Sequence, residues 1–350
     1  FLKSLKASGD IRGQFRSLRI GPISSGGGMI ADFFAGPGDA LGVAFASITV
    51  VGTFQARIES LTMAPAGAIK KLVAGSILGT EITCTGIDVL TVKGDATDLA
   101  INVSQGARPV SLGTVKIGGV VSGSLTVGTR VKSFTAFASS GLNIANPGFA
   151  GSIGLVKFTS TGQSIVTVSA GTLTALQCAG TLTGFLDLRG EIGATGLSMR
   201  SLRAARVSGF TVSGTTAGGL DVLVANRFQS AVVNFAFINT IDVRAVVGSA
   251  ELTGSLSETT FLCDELRPGT LFSITSLKTG GEVINTSATL LGGIGSFTAP
   301  RLVQSTWNAA FVDTLTLGSA ATGVNVLQSA SLNLTGANAK GQSLGKGTLK

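Results

Sequence analysis

The chain has no histidine and no tyrosine, one tryptophan (Trp307) and three cysteines. Without histidine, the commonest general acid–base and the commonest zinc ligand are both missing. Without tyrosine, and with Trp307 alone, aromatic platforms for stacking sugars or bases are scarce, so no nucleic-acid partner is expected. The 19 phenylalanines have no polar handle and read as core. Charged residues make up 13% of the chain, about half the ~25% of an ordinary soluble domain, which leaves little material for charged active-site clusters.

Long apolar runs are missing as well. Residues 158–186 carry no charge, but Gly, Ser and Thr interrupt them throughout, so a membrane helix is not expected. A membrane β-barrel should show aromatic girdles, for which the residues are lacking. The chain is therefore expected not to span a membrane.

Acidic residues number 18, and their close sets are Asp95/Asp98, Asp187/Glu191 and Asp264/Glu265. Neighbouring residues on a strand face opposite ways, so Asp264/Glu265 is a poor carboxylate pair. Asp187, between Leu186 and Leu188, reads as an outward strand residue. Glycosidase chemistry needs two carboxyls at a defined separation, and no set here demands it. Gly26-Gly27-Gly28 lacks the Lys-Ser/Thr of a phosphate loop. The expectation is a protein that is not an enzyme, with no catalytic residues, cofactor or metal site. Cys84, Cys178 and Cys263 are 94 and 85 residues apart and form no CxxC motif. Each lies two residues after an apolar residue of an alternating run (Ile82, Leu176, Phe261), which turns all three inward as buried thiols outside any disulfide.

What is abundant is a degenerate unit: a small or polar residue, an apolar anchor, a polar residue, an apolar or small residue, then Gly. Copies centre on Leu5, Leu18, Leu61, Leu90, Val115, Phe134, Val156, Leu202, Leu277 and Leu315. From Leu72 the anchors fall at 72, 90, 115, 134, 156, 176 and 202, a loose repeat suited to rungs with variable corners. Between Val115 and Val131, short alternating runs are punctuated by glycines 118, 119, 123 and 128. Alternation turns Val115, Ile117, Leu125 and Val127 inward and Lys116 and Thr126 outward. One rung cannot bury its apolar face, but stacked rungs can. The expected fold is all-β: a right-handed parallel β-helix, a three-sided β-solenoid of roughly 20–22 residues per rung, spanning residues 1–350 as a single solenoid. The segment 199–206 reads as a basic strand. Loop excursions are expected at 21–46, 141–151 and 300–310, with Phe33, Phe34 and Trp307 as candidate contact residues, since loops carry recognition more often than rungs do.

The net charge of +8 fits an anionic partner. The residue after the anchor is repeatedly basic: Lys6, Arg19, Lys116, Lys157, Arg203 and Lys278. If the anchors stack, these form a broken stripe on one sheet that could track an anionic glycan or lipopolysaccharide.

Residues 87–95 (Ile-Asp-Val-Leu-Thr-Val-Lys-Gly-Asp) and 115–127 (Val-Lys-Ile-Gly-Gly-Val-Val-Ser-Gly-Ser-Leu-Thr-Val) resemble the β-strand repeats of large secreted bacterial surface proteins, the adhesin, autotransporter-passenger and S-layer-like solenoids. The resemblance implies an extracellular or cell-surface location and a scaffold or adhesive role, and it brings no catalytic residues. The expected role is a subunit of a homo-oligomer or filament, with an anionic-polysaccharide binding module as the alternative.

Overall fold

The computed structural model describes residues 1–36, 43–60, 68–103, 110–192, 195–213, 218–245, 254–318, 327–336 and 348–349. The chain is a parallel β-solenoid. It divides into two compact units, Phe1–Gly171 and Thr172–Lys350. Each is a stack of three-sided rungs whose strands pair in parallel with the rungs before and after.

Register shows why the sequence repeats as it does. In the first unit, the inward ladder of the first face runs Leu5, Ile23, Ile48, Leu72, Leu90, Val115, Phe134 and Val156. In the second unit, the pairing runs Leu176, Leu202, Leu223, Ile241, Leu277, Phe297, Leu315 and Leu349. The second face stacks Ile11, Met29, Phe54, Ile77, Ala96 and Val121 in the first unit. Its counterpart in the second unit is Leu182, Val207, Phe228, Leu256, Val283 and Leu302. On the third face of the first unit stand Phe15, Phe33, Ile58, Ile82, Ile101, Leu125, Ile144 and Val168. Leu186, Val212, Val233, Phe261, Ala288, Trp307 and Leu332 take that place in the second unit. Each buried aliphatic or aromatic side chain contributes about 1.5–3 kcal/mol, so the three ladders supply most of the cohesion of each unit.

The expected phase holds at Leu90, Val92, Val115, Ile117, Leu186 and Leu188, all buried, with Lys116 exposed. Segment 199–206 lies within the strand Leu197–Ser213. Rungs vary in length: Leu72 to Leu90 takes 18 residues, Ile23 to Ile48 takes 25, and Ile241 to Leu277 takes 36.

Four expectations need correction. Leu18 is 71% exposed, and the inward position there belongs to the buried Ile20, which bridges Leu2 and Phe45. The true anchors after Leu5 are Ile23 and Ile48. The stretch 21–46 carries the strands Ile23–Ser25, Met29–Ala35 and Val43–Phe45 and continues the stack, apart from residues 37–42, which lie outside the described residues. Likewise 300–310 contains Leu302–Val303 and Thr306–Ala309, whereas in 141–151 the expected turn is present from Asn146 on, with the 3-10 turn Pro147–Phe149 following the strand Arg130–Ala145. Finally, Asp187 does occupy an outward strand position but is only 9% exposed, because Arg189 folds over its carboxylate with contacts of 3.1, 3.2 and 2.8 Å. The anchor Leu61 lies outside the described residues.

The corners depend on absent side chains. Where the first face of the first unit turns, Gly27 N–H donates to Gly9 O, Gly52 N–H to Gly27 O, Gly94 N–H to Gly75 O, and Gly119 N–H to Gly94 O, at 2.7–3.2 Å. A Cβ on Gly75 would lie 2.1 Å from the Val51 carbonyl oxygen, and one on Gly118 would lie 2.1 Å from that of Lys93. Two aspartates seal this corner. Asp10 Oδ1 accepts from Gly28 N–H and Asp95 Oδ1 from Val120 N–H, both at 2.7 Å and both one rung onward. Each follows a corner glycine, so Gly9-Asp10 and Gly94-Asp95 are one device used twice.

All three cysteines are buried thiols and none joins a disulfide. Cys84 pairs in register with Val103 on the third face, Cys178 with Ala204 on the first and Cys263 with Leu290 on the third. Burial, reinforced by the neighbouring Asp264, pushes the Cys263 thiol well above its usual range.

Two outcomes test this architecture. Gly75→Ala should destabilise by about 2–3 kcal/mol, because the atoms it strikes are backbone. Gly9→Ala, with nothing within 4 Å of its Cβ, should stay within about 0.5 kcal/mol. Denaturant unfolding of the two variants side by side measures the difference. Separately, a thiol-reactive chromogenic reagent at neutral pH should label none of the three cysteines in the native protein and all three after denaturation. Rapid labelling of the native chain would contradict the inward phase.

Candidate functional site

The outward rows are where one rung can differ from another without disturbing the core. Of the six basic residues singled out from the sequence, Lys6, Lys116 and Lys157 share one outward row of the first face in the first unit, and Arg203 and Lys278 share the corresponding row in the second. In the first unit that row reads Lys6, Ser24, Thr49, Val73, Thr91, Lys116, Thr135 and Lys157. In the second it reads Gln177, Arg203, Val224, Asp242, Lys278, Thr298 and Thr316. Arg19 is not on it. It precedes Ile20 and its guanidinium sits 5.6 Å from the centre of the Phe1 ring. Lys6 and Lys116 are five rungs apart, about 24 Å at ~4.8 Å per rung. Asp242 stands between Arg203 and Lys278 and holds Arg244 at 2.7 Å. The fifteen positions hold five cations, separated by five threonines and by Ser, Val, Gln and Asp.

The candidate contact residues move inward. Phe33 is fully buried in the third-face ladder, stacked on Phe15 with ring centres 5.1 Å apart. Trp307 is also fully buried, 4.7 Å from the Phe297 ring and 6.1 Å from the Phe261 ring. Register puts Ala288 between Phe261 and Trp307, and this small residue leaves room for the indole to reach across a rung. Phe34 alone faces outward, half-buried, with the Arg16 guanidinium 4.8 Å above its ring. Pro300 and the nearby glycines resemble a loop in sequence, but the residues between them keep the strand alternation.

A groove of about 440 Å³ opens on the outside of the first unit, where the second face bends into the third. Its origin lies in the inward row at the bend. Ala31, Ala56 and Thr80 stack there, all small and buried, with the exposed Gly13 in register with Ala31, whereas later rungs place Leu142 and Val166 in the equivalent position. Thr80 is buried and its hydroxyl donates to Phe54 O at 3.0 Å while accepting from Ala56 N–H at 3.3 Å, so even this polar member is satisfied inside. One wall is the outward row Ile30 and Gln55. The other is the outward row Gln14, Asp32, Arg57 and Glu81, in register over four rungs. Gln14 Nε2 donates to Asp32 Oδ2 at 3.2 Å, and Arg57 lies 3.3 Å from Glu59 and 3.9 Å from Glu81. Ile30 projects into this polar setting 49% exposed. Composition could not reveal the groove, because its wall residues are 18, 25 and 24 positions apart and each looks like an ordinary outward strand residue.

Among the described residues, no cluster of three or more His, Cys, Asp or Glu is placed to hold a metal ion, and no helix is long and apolar enough to cross a membrane. Compared with known proteins, the chain matches no family model, no curated protein and no solved structure.

The burial of Trp307 yields a direct readout, since it is the only tryptophan. Its fluorescence should be blue-shifted in the native protein and move to the red on unfolding. Trp307→Ala should cost about 3–5 kcal/mol. Trp307→Phe should cost far less, because the buried indole Nε1 has no hydrogen-bond partner among the described residues.

Proposed function

We propose that the protein is an extracellular structural protein, a scaffold that packs with copies of itself into a surface filament, sheath or S-layer-like assembly. The observation that carries this reading is the third face of the second unit. There Ser287, Thr306 and Ser331 form one exposed outward row, and Thr289, Asn308 and Asn333 form the next. Asn333 Nδ2 donates to Asn308 Oδ1 at 2.8 Å, and the Ser331 hydroxyl donates to Thr306 Oγ1 at 3.4 Å. Short side chains in register make a flat surface, and flat sheets pack face to face at about 10 Å. Hydroxyls and amides both donate and accept, so such a face is complementary to another copy of itself.

The alternative, a module that grips an anionic polysaccharide along the basic row, has weaker support. A polyanion lying along that row would meet a cation on three of eight rungs in the first unit and two of seven in the second, where Asp242 stands between the two. Electrostatic capture needs a continuous field of one sign.

Sedimentation velocity and negative-stain electron microscopy of the purified protein over a concentration series test the proposal. Ordered oligomers, filaments or sheets are the expected result. The double substitution Thr289→Lys, Asn308→Lys places like charges on an exposed face and should dissolve the assemblies while leaving the thermal midpoint within about 3 °C. A protein that stays monomeric at every concentration sinks the reading.

A further inference from the structure

We infer that the groove at the bend of the first unit is a binding site for a linear neutral glycan. This inference stands apart from self-assembly, because it rests on a different face and different residues.

Shape comes first. The polar wall spans four rungs, Gln14, Asp32, Arg57 and Glu81, or three steps of ~4.8 Å, about 14 Å along the stack. Gly13 contributes to the floor at φ +127° with nothing within 4 Å of where a Cβ would stand, so the channel stays open at that end. A long, open channel of about 440 Å³ suits a few units of a chain polymer better than a compact metabolite, which would be enclosed on most sides.

Chemistry narrows the ligand class. The strands Met29–Ala35 and Ile48–Ser60 pair with a rung on each side along the groove, so a peptide cannot add as a further strand there, and the unpaired edge of Ile11–Ser17 faces along the stack, away from Met29–Ala35. Recognition falls to side chains. These are amides (Gln14, Gln55), carboxylates (Asp32, Glu81) and a guanidinium (Arg57), which together supply both donors and acceptors at closely spaced points. Vicinal hydroxyls, each a donor and an acceptor, match that set. Ile30, half-exposed in the facing wall, offers an apolar contact for the C–H face of a sugar ring.

Charge then separates neutral from acidic polymers. Along the polar wall the signs alternate, with Arg57 between Asp32 and Glu81 in register. An anionic chain would be held at one rung and repelled at the two flanking it, despite the protein's net +8. A neutral polyhydroxyl chain meets no such penalty.

The test titrates the full chain with cellohexaose, maltohexaose and xylohexaose, and with dextran sulfate, using calorimetry and ligand-observed NMR. At least one neutral oligosaccharide should bind in the micromolar to millimolar range, with little dependence on salt. Asp32→Ala and Gln55→Ala should each weaken that binding about tenfold or more, with thermal midpoints held within about 2 °C of the parent. Three results overturn the inference: no neutral hexasaccharide binding up to about 10 mM, binding that both substitutions leave unchanged, or salt-sensitive binding of dextran sulfate alone. None of these bears on whether the protein assembles, so the two readings fail separately.

Discussion

Rung-to-rung backbone pairing governs everything else in this protein. Because every strand is parallel to its neighbours, each residue has its counterpart about 4.8 Å away on the next rung. A side chain therefore packs mainly against residues 18 to 36 positions away, and like must tolerate like. The alignment of Leu72, Leu90, Val115, Phe134 and Val156 is a consequence of that geometry. So is the alternation of size where it appears: Ala288 is small because Phe261 and Trp307 meet across it.

The same constraint explains the glycine content. A corner must turn the chain while its carbonyl approaches the next corner closely. At Gly75 and Gly118 a methyl group would collide with a backbone oxygen that has nowhere to move. Where the corner leaves an N–H without a ladder partner, an aspartate supplies the acceptor, as Asp10 does for Gly28 and Asp95 for Val120. These aspartates are occupied by structural work, which removes them from the short supply of carboxylates that might do chemistry.

The architecture was legible because its signal is periodic and apolar. An anchor flanked by polar residues and closed by glycine identified Leu5, Leu72, Leu90 and seven further members of the first-face ladders of the two units. Leu18 misled because Ser17-Leu18-Arg19-Ile20 copies the unit although the strand Ile11–Ser17 ends just before it: Leu18 lies at the bend that follows, and Ile20, beyond that bend, is the residue that turns inward. Ile23 and Ile48 were hidden in a glycine-rich context that looks like loop. Trp307 and Phe33 were placed outside for a similar reason, since proximity to Pro and Gly suggests excursion whereas the intervening residues keep strict alternation. The groove was illegible in principle. It needs Gln14, Asp32, Arg57 and Glu81 to be neighbours, and nothing in a loose repeat fixes that register until the rungs are aligned.

In a stack of this kind, specificity can arise only where the periodicity is broken outward. The inward rows are chosen for packing, and a change there is felt by the rungs on both sides. The outward rows are held by the same backbone but packed by nothing, so they can carry polar sequence at little cost in stability. The first unit breaks the pattern furthest at the bend, where Ala31, Ala56 and Thr80 keep the inward row small and a channel opens beside a row of alternating charge. On the third face of the second unit the outward rows settle into short hydroxyls and amides that bond along the stack. A surface that varies from rung to rung can select one ligand, whereas a surface that repeats can only recognise another repeat. The two units differ in that respect, and the difference is the physical basis for proposing a ligand for one and a copy of itself for the other.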